Sequence, residues 1–111
     1  MAGITVGSAL LSKLRNCLMN MVVSGQYQIG DNWYTSGIDL AEIRQNGAVY
    51  IAFMIEAQDE ELTPATHFRL LSSDEAVLAE REEEVPFTEN MPSLVYRFKF
   101  EITAEEEEDA E

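Results

Sequence analysis

Ten consecutive residues, SLVYRFKFEI (Ser93–Ile102), constrain the fold more tightly than any other stretch of the chain. Leu94, Tyr96, Phe98, Phe100 and Ile102 alternate with Ser93, Val95, Arg97, Lys99 and Glu101. A period of two is that of an extended strand with one face buried and one face wet. Slipping the register by one residue would bury two cations and a glutamate, so the pairing is firmly specified. A chain holding such a strand must supply antiparallel neighbours and an apolar layer to cover the aromatic face.

The rest of the sequence supplies both. From Thr5 to about Val22, apolar residues at Val6, Leu10, Leu14, Leu18, Met21 and Val22 fall at helical spacing. Thr5 suits the N-cap and Ser24-Gly25 the stop, and Cys17 reads as a small core residue beside the stripe. Strand patterns follow. YQI and WYT flank a turn at Gly30-Asp31-Asn32, and IDLAEIR leads into Asn46-Gly47, a strong hairpin signal because both residues accept positive φ. AVYIAFMI is apolar on both faces, which marks a central strand covered by the helix.

These segments predict an α+β domain over residues 1–103: an N-terminal helix packed on an antiparallel, mostly meandering sheet of about six strands. The expected core is Leu10, Leu14, Leu18, Ile29, Val49, Ile51, Phe53, Ile55, Phe68, Leu70, Val77, Leu94, Tyr96, Phe98, Phe100 and Ile102. Residues 104–111, AEEEEDAE, repel one another and bury nothing, which predicts a disordered acidic tail.

Charge limits the partners. Seven Lys and Arg against 21 Asp and Glu give a formal net charge of −14, and the tail accounts for six of the acids. Phosphate binding needs clustered cations, so no nucleic acid is expected as a partner. Anionic membrane surfaces are disfavoured for the same reason. The reversed case, an acidic protein that imitates DNA, stays open as an alternative function. One cysteine cannot make an internal disulfide, and neither a signal-peptide pattern nor a membrane-length apolar run is visible. A cytoplasmic protein, or one assembled from cytoplasm, is expected.

The stretch HFRLLSSDEAVLAERE (His67–Glu82) holds the single histidine, two serines and several carboxylates. Its halves, Thr66–Leu71 and Val77–Glu82, both alternate with period two, which puts Ser72, Ser73 and Asp74 in a polar turn. His67 has no second histidine with which to bind a metal, and neither serine has a base placed by the pattern. No nucleophile elbow, phosphate loop or Cys-x-x-Cys is present. Catalytic, cofactor and metal sites are therefore expected to be absent. A Cys17–His67 pair and a small enzyme of unknown class are the alternatives. Asp59-Glu60-Glu61 and Glu82-Glu83-Glu84 read as solvated acids rather than cation sites. Trp33 and Tyr34, side by side near a turn, are the candidate ligand or partner surface, against the plainer reading as half-buried strand residues. Arg97 and Lys99 are expected to lie across from Glu80, Glu82 or Glu84 on a neighbouring strand.

With HFRLLSSDEAVLAERE and SLVYRFKFEI placed on strands, and ITVGSALL (Ile4–Leu11) opening the helix, the chain resembles phage tail-fibre and tail-collar proteins. The resemblance implies a small β-rich structural module that packs with copies of itself or with a protein partner. It points to an accessory or assembly protein of a phage or prophage, free in the cytoplasm or built into the particle.

Overall fold

Two glycines set the first three strands. Gly30 (φ 63°) and Gly47 (φ 85°) take the left-handed conformation required by two tight turns. At the second, Asn46 Oδ1 accepts the Ala48 N–H at 3.0 Å. In the computed structural model, which describes residues 7–101, these turns join β1 (Ser24–Ile29), β2 (Asn32–Ile43) and β3 (Ala48–Glu56) as an antiparallel meander. β4 (Ala65–Leu71) and β5 (Val77–Val85) form a hairpin that pairs with β1, and β6 (Ser93–Glu101) pairs with β3. The order across the sheet is β5-β4-β1-β2-β3-β6, and every pairing is antiparallel.

The expected class therefore holds: one helix, α1 (Ser8–Met21), packed against a six-stranded antiparallel curled sheet. Two expected strands, WYT and IDLAEIR, are one. Gly37 does not break β2, whose first half pairs with β1 and whose second half pairs with β3. A bulge at Asp39 lies just past the hand-over and shifts the register, so that Ile38 pairs with Phe53 but Leu40 with Ala52.

The curl brings the two edges together. Tyr96 of β6 stacks on Phe68 of β4, and Arg81 of β5 lies over the Tyr96 and Phe98 rings. Inside are Val49, Ile51, Phe53, Ile55, Phe68 and Leu70, fully buried, with Ile29, Tyr96 and Phe98 nearly so. Leu18, Leu94 and Phe100 pack on this core while partly exposed. The core also takes in Tyr27, whose hydroxyl accepts the Glu56 N–H at 3.2 Å, and Phe87, from the loop between two prolines.

Three residues of the expected core are outside it, and so is Cys17, read as a small core residue but exposed on α1. Leu10 (51% exposed), Leu14 (46%) and Val77 (46%) face solvent. For the helix the reason is rotation: Leu11, Arg15, Leu18 and Val22 form the stripe turned toward the sheet, and Leu10 and Leu14 lie on its flank. Val77 begins an edge strand, where nothing lies above it. Ile102, Thr5, Val6 and the acidic segment 104–111 lie outside the described residues.

Candidate interaction surface

The outer face of the first half of the sheet is built from two lateral rows. Register places Trp33, Gln28, His67 and Glu82 side by side across β2, β1, β4 and β5. The next row holds Thr35, Gln26, Arg69 and Glu80 on the same four strands. Polar side chains that alternate with the core residues of these strands have only this face to occupy.

Contacts cross both rows. Gln26 Nε2 donates to Thr35 Oγ1 at 3.1 Å, and His67 Nε2 lies 3.2 Å from Glu82 Oε2. The Arg69 guanidinium lies over the Trp33 indole, its Cζ 3.6 Å from the ring centroid. Stacking satisfies the π-face but not the donors: Arg69 Nε is shielded from solvent and has no hydrogen-bond partner among the described residues. Trp33, His67 and Arg69 are all partly exposed. Together they make an aromatic and cationic spot on an acidic protein.

Trp33 and Tyr34, singled out together in the sequence, point to opposite faces. Tyr34 turns inward to Tyr27, with centroids 5.6 Å apart, and only Trp33 is on the outer surface. Its cation, Arg69, carried no local signal, since the pairing of β1 with β4 that brings it close is long-range.

The stretch around His67 is a strand, a turn and a strand. Ser72 Oγ donates to Asp74 and accepts the Ala76 N–H, and the Glu75 N–H reaches Ser72 O at 2.9 Å. The serine hydroxyl and the Ala76 amide hold the Asp74 carboxyl below its usual range. His67 projects from the outer face of β4, while Cys17 lies exposed on α1, which packs against β2 and β3. The two are not brought together.

The acidic runs also separate. Asp59 accepts the Thr63 N–H at 3.0 Å and the Thr63 hydroxyl at 2.7 Å, which lower its pKa and fasten the loop. Glu82 turns out to His67, whereas Glu83 on the other face of β5 lies close enough to Tyr96 to influence its ionisation. Among the described residues, no three His, Cys, Asp or Glu are grouped to hold a metal ion. No helix among them is long and apolar enough to cross a membrane.

Arg97 and Lys99 do not pair with Glu80, Glu82 or Glu84, because β6 pairs with β3 and β5 pairs with β4. Across from them on β3 stand Ala52 and Tyr50. Arg44 (4.5 Å), Arg97 (4.8 Å) and Lys99 (6.0 Å) surround the Tyr50 ring. Glu42 pairs with Arg44, and Glu101 with Lys99 at 3.1 Å, which raises the pKa of the lysine. Cation–π contact and these two carboxylates keep mutually repelling cations on one face.

Comparison with protein-family models, curated proteins and solved structures found no match to this chain.

Proposed function

We propose that this chain is a non-enzymatic structural or interaction protein, a phage or prophage tail-associated accessory or assembly protein that offers the outer face of its sheet to a protein partner. The observation that carries this reading is the Arg69 guanidinium over the Trp33 ring, in the middle of a partly exposed face. Tryptophan and arginine dominate the energetic centres of protein interfaces, since each offers a large rigid contact area with a few directional donors. The resemblance of His67–Ile102 to tail-fibre and tail-collar modules supplies the biological setting.

The test begins with neighbouring genes. Tail or capsid genes beside this one supply purified candidate partners, and one of them is expected to bind. Trp33→Ala or Arg69→Ala should then weaken binding by about thirtyfold, the equivalent of roughly 2 kcal/mol at an interface centre. A hydrolase or transferase activity that vanishes on His67→Ala or Cys17→Ala would overturn the reading.

A second reading, an acidic DNA mimic, draws support from β5. Glu80 and Glu82 share one face of an edge strand, about 6.7 Å apart, and Glu84 is exposed just beyond them. Competition with duplex DNA for a basic DNA-binding protein distinguishes the two: a mimic loses it on Glu80→Gln/Glu82→Gln/Glu84→Gln, whereas a tail protein shows none.

A further inference from the structure

α1 carries two apolar stripes and the sheet covers only one. Leu11, Arg15, Leu18 and Val22 turn toward the sheet, where Leu18 and Met19 pack on the core and Val22 is buried. The flanking stripe, Leu10, Leu14, Cys17 and Met21, is exposed along its whole length, at 51%, 46% and 44% for Leu10, Leu14 and Met21. Its spacing of four, three and four residues is that of the seam between two packed helices.

We propose that this stripe is where two copies of the chain pair, helix antiparallel to helix, about a two-fold axis. The proposal rests on the reading of the chain as an interaction protein and names one of its contacts. A two-fold interface must be complementary to itself. Here an antiparallel partner sets Leu10 against Met21 and Leu14 against Cys17, so all four apolar positions are matched at once. In that arrangement Lys13 of one helix falls level with Leu18 of the other, away from the second Lys13.

Charge favours the same place. The first acidic residue of the sequence is Asp31, so α1 contains none of the 21 acids and carries only Lys13 and Arg15. Two copies of a −14 chain repel wherever acidic surfaces meet. The helix is where they can approach without apposing carboxylates, and each helix is attracted by the acidic body of the other copy.

Area sets the strength. Four half-exposed side chains remove on the order of 300–400 Å² per copy, below the roughly 800 Å² per partner of a standard stable interface. The pairing is therefore weak and depends on protein concentration. It leaves the Trp33–Arg69 face free for a different partner.

Cys17 reports on the contact because its thiol is open in the single chain and covered in the pair. Full-length protein should be followed across a concentration series by sedimentation and by the rate of Cys17 alkylation with a maleimide. The expected result is that mass doubles and alkylation slows together. Leu14→Glu, an exposed position in the single chain, should leave the circular dichroism spectrum unchanged and raise the dissociation constant more than about tenfold. Leu14→Met should retain the pairing. Association with Cys17 still reacting at the single-chain rate would overturn the helix contact while leaving the interaction reading standing. Slow alkylation at single-chain mass would also overturn it, by showing that the chain covers its own stripe. A single chain with open Cys17 at every concentration would overturn it as well.

Discussion

Phe68 of β4 and Tyr96 of β6 lie with ring centroids 3.7 Å apart and planes 5° from parallel, joining strands that are four places apart in the sheet. That stack, with Arg81 donating to the Tyr96 hydroxyl at 3.3 Å, ties the curled sheet together through side chains, although β5 and β6 are not paired through their backbones. Phe68 is fully buried, so Phe68→Ala is expected to cost about 3–5 kcal/mol in denaturant unfolding. Val95→Thr, at a position 57% exposed on the outer face of β6, should stay within about 0.5 kcal/mol.

Gly25 is a packing glycine. A Cβ built there would sit 2.2 Å from Phe53 Cδ1, inside a ring with no room to retreat. Gly25→Ala should destabilise by about 3 kcal/mol or more, the upper end of overpacking costs. Gly37→Ala is the control: nothing lies within 4 Å of its added carbon, and thermal unfolding should hardly change.

The turn after β4 adds a pH-dependent contribution at the acid end. Ser72 and the Ala76 amide lower the Asp74 pKa below 3.8 in the folded chain. The resulting stability is present above about pH 3.8 and is lost as the pH falls through the lower folded value. Asp74→Asn should flatten the acid limb of the stability curve and leave the neutral region little changed. Asp59→Asn should behave alike, since Thr63 lowers that carboxyl too.

Tyr96 acts at the alkaline end with the opposite sign. Burial raises its phenol above 10.0, although Arg81 opposes the shift. Stability is then full below pH 10 and lost as the pH rises through the folded value. Tyr96→Phe should delay alkaline unfolding while costing about 1 kcal/mol at neutral pH for the lost hydrogen bond.

The acidic segment 104–111 carries six acids, whose charges are expected to oppose association of copies. Association is expected to strengthen as salt rises, because screening shortens their repulsion to about 10 Å at 0.1 M and less beyond. Removing residues 104–111 should have the same effect at low salt, as read by sedimentation.

What the sequence revealed follows the range of each interaction. The alternation of β6 reads directly, since a face is fixed by residues two apart, and Tyr96 and Phe98 are buried as expected. The Asn46-Gly47 and Ser72–Ala76 turns are local chemistry and read equally well. The helix does not: with apolar residues on two adjacent stripes, periodicity identifies a helix but not which stripe meets the sheet. Phe87, between Pro86 and Pro92, is buried by packing that no local pattern announces. The candidate surface was half legible. Trp33 drew attention by type, but Arg69 reaches it through β1, and strand order between distant segments leaves no mark at either residue.

The placement of β6 also has a consequence for the order of events as the chain is made. β1, β2 and β3 are joined by tight turns, so their pairings close short loops and can form within microseconds. β3 must then wait for β6, whose pairing joins Val49 to Phe100 and Ile55 to Leu94 across the β4–β5 hairpin. Until β6 leaves the ribosome, β3 is an unpaired apolar edge, a template for any other nascent chain. β3 therefore keeps this apolar edge open until the last strand of the sheet is free to pair with it.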